Sequence, residues 1–109
     1  MNNIITPEKL DRYFSITQLA LDRAKNAFDL KRKEQAQDFY MMAYCYFHDA
    51  RYFLDSRKDA VLAFAALNYA HGWLDAGARS GLFLVKDSTL FTVDDGLPRQ
   101  QATKSSTTK

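Results

Sequence analysis

A chain of 109 residues, 47% hydrophobic and 26% charged, has room for one small globular domain and a tail, and its balance is not that of a disordered protein. The formal charge of +2 is too small to mark a protein built to bind polyanions. A single cysteine excludes an intramolecular disulfide and any Cys-based zinc cluster.

The first helix is announced by Thr6, Pro7 and Glu8. Thr supplies a capping oxygen, Pro fits a first turn whose N–H has no intrahelical partner, and Glu complements the helix dipole. Leu10, Phe14, Thr17, Leu21, Ala24 and Phe28 recur at spacings of three and four and predict the buried stripe, widened by Tyr13, Ala20 and Ala27. The next break carries no Gly or Pro, only the charged run 29–34, so the turn is placed near residues 30–33, with a bent continuous helix as the alternative.

The second helix is predicted over residues 33–56. Ala36, Tyr40, Ala43, Phe47, Ala50 and Leu54 make one apolar stripe, and Phe39, Met42, Tyr46 and Phe53 a flanking one. Two stripes imply two neighbours. Cys45 sits among Tyr44, Tyr46 and Phe47 and reads as a small buried hydrophobe. Residues 56–59 form a turn that ends on Asp59, a good cap for the helix that follows.

Residues 60–83 read as a helix that is apolar or small on nearly every face, and so as the organising element. Ala60, Ala63, Leu67, Ala70, Leu74, Gly77 and Gly81 fall on one heptad line, and Leu62, Ala66, Tyr69, Trp73 and Ala76 on a second. Gly72 and Gly77 each cost roughly 1 kcal/mol of helix stability relative to Ala, which predicts close packing or a ligand at those positions. After Lys86 the pattern ends; Leu90, Phe91 and Val93 are expected to dock as an extended segment, and residues 100–109 to be disordered. The expected fold is therefore all-α: an up-and-down antiparallel three-helix bundle over residues 1–86, with an extended to disordered, flexible C-terminal tail over 87–109.

The polar residues of the third helix are few. At 100° per residue, Asn68, His71, Asp75 and Arg79 fall within an arc of roughly 80°. Imidazole and carboxylate on adjacent turns can share a metal, or the carboxylate can orient a catalytic histidine. Asp49 and His48 are possible further members from the second helix, and the register about the 56–59 turn sets Tyr44 at the level of His71 and Tyr40 at that of Asp75. About the earlier turn, Thr17 and Gln18 come near the height of His71.

The reading favoured over catalysis is mutual satisfaction, with His71 bonding Asp75 or the Tyr44 hydroxyl, and Asp75 pairing with Arg79 or Arg23. A metal wants three or four ligands and only two are well placed, so no metal, cofactor or catalytic residue is assigned. Asn68, His71, Asp75, Arg79, Asp49 and Tyr44 stand as a candidate polar or ligand site. Burial beneath Tyr40 and Tyr44 would make the stripe structural, and an open cavity would not.

Residues 49–54, Asp49-Ala50-Arg51-Tyr52-Phe53-Leu54, and the longer string 63–77, which includes Leu67-Asn68-Tyr69-Ala70-His71-Gly72-Trp73-Leu74-Asp75, strongly resemble an archaeal family catalogued as domain of unknown function 357. The similarity covers the second and third helices well and the first by pattern. It implies a short three-helix bundle and lends no activity. Members of the family carry a Gly-containing turn where this chain has Arg57-Lys58-Asp59, and a clearer break between the first two helices. The tail after Lys86 looks peculiar to this chain.

The expected function is a non-enzymatic helical interaction or scaffold module, self-associating as a homodimer or binding a protein partner, because so small a bundle leaves apolar surface uncovered. The alternative is a small hydrolase or ribonuclease-like protein using His71 and Asp75. It resembles the helical nucleotide-binding domains of prokaryotic defence systems, but their Arg-before-His order is reversed here. Nucleic acid is expected only through the Lys-bearing tail: the knots at 31–33 and 57–58 lie about 36 Å apart along one helix at ~1.5 Å per residue, too far for a single strip. The N-terminal MNNIITPEK lacks the pattern of a signal peptide, and the apolar run 60–67 falls short of the ~20 residues of a membrane span. A cytoplasmic protein with no membrane partner is expected.

Overall fold

The computed structural model describes residues 5–86 and 90–91. Three helices follow in order: α1 (Pro7–Lys25), α2 (Lys33–Asp55) and α3 (Ala60–Arg79), packed as an up-and-down bundle in which α2 and α3 form the most intimate pair. No helix among the described residues is long and apolar enough to cross a membrane.

The caps lie where residue chemistry puts them. Thr6 Oγ1 accepts the Lys9 N–H at 3.1 Å, with Pro7 opening the first turn. Asp59 Oδ1 accepts the Leu62 N–H at 3.0 Å and starts α3. Between α2 and α3, Lys58 adopts φ 55°, the left-handed region in which a side chain is strained and glycine is not. That conformation gives a physical reason for a glycine in this turn.

The core follows the expected stripes. Leu10, Phe14, Thr17, Ala20, Leu21 and Ala24 of α1 meet Ala36, Ala43, Phe47 and Ala50 of α2 and Ala63, Ala66, Leu67, Ala70, Leu74, Gly77 and Ala78 of α3. Alanines carry the α2–α3 contact, so the two backbones come close and their larger side chains are displaced to the flanks. Phe14 packs edge-on to Phe47 and lies beneath the Arg51 guanidinium at 4.2 Å, which fixes α1 against α2.

Four expectations need correction. The first break is not a bent helix; it contains the turn expected near 30–33 but begins earlier, at Asn26. α1 is capped by Asn26, residues 27–29 run extended, and a 3₁₀ turn over Leu30–Arg32 leads into α2. Phe28 therefore leaves the helical stripe and pairs with Phe83 in an antiparallel bridge, with Asp29 N–H to the Leu82 carbonyl at 2.8 Å and Leu84 N–H to the Ala27 carbonyl at 2.7 Å. Asp29 also accepts the Lys31 N–H at 3.0 Å, and this local bond competes with helix continuation.

The last helix stops at Arg79, short of Phe83. Gly81 at φ 80° turns the chain left-handed, and the N–H groups of Gly81 and Leu82 return to the Ala78 and Gly77 carbonyls, closing the helix end. Cys45 is exposed, since its position on α2 lies opposite the buried alanines. Gly72 has no atom within 4 Å of where a Cβ would stand, so packing is not its reason. Gly77 does serve close packing: a Cβ there would clash with the ring of Phe83.

The chain beyond Lys86 is described at two residues only. Leu90 and Phe91 are buried against the bundle. The expectations for Val93 and for residues 100–109 lie outside the described residues.

Candidate functional site

α1 crosses α3 on one side. Tyr13 stacks on Phe64 at 5.1 Å, and the hydroxyl of Thr17, buried at 3% exposure, faces the His71 ring. Where the two helices diverge they leave a cleft of about 340 Å³ lined by Tyr13, Ile16, Thr17, Leu67, Asn68, His71, Gly72 and Asp75. Of the six candidate residues, this arrangement brings together Asn68, His71 and Asp75. Arg79 and Asp49 are exposed and do not line the cleft. Tyr44 points elsewhere on α2, against Tyr40 at 6.1 Å and His48 at 4.3 Å.

His71 therefore bonds neither Tyr44 nor a second α2 residue, because α1 occupies that flank. Its Nε2 lies 2.7 Å from the Leu90 carbonyl and its Nδ1 3.5 Å from Thr17 Oγ1. A carbonyl only accepts, so Nε2 carries the hydrogen, and in the neutral ring Nδ1 accepts from the Thr17 hydroxyl. Asp75 Oδ1 stands 3.6 Å from the same Nε2, which becomes an ion pair only when the ring is protonated. The side chains of His71 and Asp75 are 25% and 29% exposed. The stripe is thus not sealed beneath Tyr40 and Tyr44; it borders an open cleft on the α1 side.

This geometry limits the chemistry. Both imidazole nitrogens are engaged, one donating to Leu90 and the other receiving from Thr17, so His71 has no lone pair directed at the cleft for general-base work. Among the described residues no three His, Cys, Asp or Glu side chains converge as a metal site would require. What the cleft does offer is hydrogen bonding and flat apolar contact. Asn68 is exposed on its rim, Tyr13 supplies an aromatic wall, and Gly72 leaves bare backbone.

Sequence reasoning missed the α1 half of this site. Thr17, the one polar residue on an otherwise apolar stripe and at the height of His71, was the available signal. Gly72, whose cost in an alanine-rich helix points to close packing or a ligand, joins it, and the structure removes the packing explanation. The Leu90 carbonyl had no signal, because the path of the chain after Lys86 cannot be read from periodicity.

Fold and cleft together define a small antiparallel three-helix protein with a mixed polar and aromatic groove between its first and third helices. The chain belongs to the family described as Protein of unknown function (DUF357), whose model matches residues 12–83, from the second turn of α1 to the Phe28–Phe83 bridge. No curated protein and no solved structure matches it significantly.

Proposed function

We propose that the protein is a non-enzymatic helical interaction module that self-associates through the outer face of the α2–α3 pair. The supporting observation is an uncovered aromatic strip on the side of α3 opposite α1. Phe39 meets Trp73 edge-on at 5.0 Å and Tyr46 tilts against Tyr69 at 5.4 Å, yet Tyr69 remains 63% and Leu62 43% exposed. Phe64 and His71, which face α1, lie roughly 140–180° around α3 from Tyr69 and Trp73 at 100° per residue.

The composition of the strip suits a contact surface. Tyr, Trp, Phe and Met are the side chains enriched at interface centres, and Met42 and Phe53 of α2 extend the row without a charge. A two-fold axis through the strip sets each Tyr69 against the same patch of a second copy, so no other partner is needed to cover it. Charged Asp38 and Asp49 are exposed on the outer side of α2 and would form the polar rim.

Sedimentation velocity of the full chain at micromolar concentration tests the reading. A dimer is expected, and Tyr69→Asp with Leu62→Asp is expected to give a monomer with unchanged helical circular dichroism. A parent chain that is monomeric throughout the micromolar range would overturn it.

A further inference from the structure

We infer that the α1–α3 cleft is a binding site for a flat, amino-bearing nitrogen heterocycle of the nucleobase type, seated against the bare backbone of Gly72. The site lies on the face of α3 away from the self-association strip, and the inference stands independently of that reading.

Size bounds the ligand first. At about 340 Å³ the cleft sits at the small end of the ~300–1,000 Å³ range of ligand pockets, which suits one fused or single ring rather than an extended polymer. Shape comes next. Ile16 and Leu67 supply apolar contact, and the Tyr13 ring, held nearly parallel to Phe64 with an interplanar angle of 17°, is a rigid flat wall. Such a wall stacks a planar heterocycle.

Gly72 completes the shape. Nothing lies within 4 Å of the position a Cβ would take, so the missing side chain maintains space where alanine would fit without a clash and would favour the helix. Glycine is the residue that lets a ligand approach backbone closely. A ring laid over this turn would use the gap that the protein itself leaves open.

The polar groups give the chemical class. The side chain of Asn68 makes no hydrogen bond to another described residue, and its carboxamide presents a donor and an acceptor side by side in one plane. That pair matches a ring nitrogen beside an exocyclic amine, the pattern an Asn reads on adenine. Asp75 borders the cleft one turn beyond His71 with a carboxylate, whose two oxygens carry about four acceptor sites, enough to receive an amine N–H in addition to its protein contacts. No Lys or Arg side chain lines the cleft to receive a phosphate, so the base is the part recognised. His71, bonded to Thr17 and Leu90, holds the cleft wall and is a positioning residue.

The test is titration of the full chain with adenosine, uridine, adenosine monophosphate and a short oligoadenylate, followed by amide nitrogen–proton correlation spectra. Adenosine is expected to shift the Thr17, Asn68, His71 and Gly72 resonances at sub-millimolar to millimolar concentration, and uridine, which lacks the amine, to bind at least fivefold more weakly. The monophosphate should bind no more tightly than the nucleoside, and with no salt dependence.

Gly72→Ala is expected to weaken adenosine binding at least tenfold without lowering the melting temperature, and Asn68→Ala at least fivefold. Tyr69→Asp, on the far face, should leave it unchanged. No shift with adenosine at millimolar concentration, binding retained in Gly72→Ala, or equal affinity for uridine would each overturn the assignment. Binding confined to the oligonucleotide with a steep salt dependence would overturn it too, since phosphate would then be the recognised group.

Discussion

Gly72 and Gly77 lie on the same helix five residues apart, and from sequence they are the same anomaly in an alanine-rich segment. Their surroundings are opposite. At Gly77 the backbone of α3 is pressed against the Phe83 ring, which stacks on Phe28 at 5.7 Å, while Phe28 in turn meets Tyr40 edge-on at 5.9 Å. At Gly72 the equivalent space is empty and opens into the cleft. Within one helix, one glycine serves closure and the other an opening. A glycine's cost is thus explained by what occupies the volume of its missing Cβ, and the sequence alone does not report that.

The closed end is where substitution should hurt most. Phe83 is 1% exposed and holds α1, α2 and the end of α3 together through Phe28, Tyr40 and Gly77. Phe83→Ala is expected to lower unfolding free energy by about 3–5 kcal/mol, the usual cost of emptying a buried phenylalanine site. Urea denaturation followed by circular dichroism measures it, and a loss below ~1 kcal/mol would mean that the clasp is not part of the cooperative core. Gly77→Ala is expected to cost less, about 1–3 kcal/mol, because the ring must shift to admit a methyl group even though alanine is the better helix former. The two changes should not add: in the double variant, where Phe83 is already gone, Gly77→Ala becomes neutral or stabilising.

The open cleft should respond with the opposite sign. Gly72→Ala meets nothing within 4 Å and gains helix propensity, so the fold should become up to ~1 kcal/mol more stable. The same denaturation curves check this. If Gly72→Ala destabilises as Gly77→Ala does, the two glycines are alike after all and the contrast fails.

Much of this molecule was legible because helices report their neighbours through periodicity. Thr6 and Asp59 marked two starts, the small residues Ala63 and Ala70 on the first heptad line marked the close α2–α3 contact, and the two apolar stripes of α2 correctly implied two neighbours. The site was half legible. Asn68, His71 and Asp75 share a face by arithmetic, and they do share a cleft. Tyr44 and Asp49 were drawn in by height alone, and height does not say which flank of α2 a residue occupies. The Asn26–Arg32 break was obscured because an Asp-initiated 3₁₀ turn needs neither Gly nor Pro. Cys45 was misjudged from aromatic neighbours in sequence, which on a helix point 100° away on either side.

The smallest expected effect separates the clasp from the cleft by pH. Tyr40 belongs to the closed end, where burial raises its pKa above the ordinary tyrosine value and the nearby charges of Asp22 and, once ionised, Tyr44 raise it further. The folded state thus holds the phenolic proton more tightly than the unfolded chain does. Its contribution to stability is fully present below the unfolded value of about 10 and is lost as pH rises from there through the folded pKa. Tyr40→Phe keeps the edge-on contact with Phe28 and removes the ionising group, so its stability should decline less steeply than the parent's above pH ~10. Parallel declines would place the alkaline sensitivity elsewhere, and a parent chain indifferent to pH there would mean that the ring environment is wetter than the clasp requires.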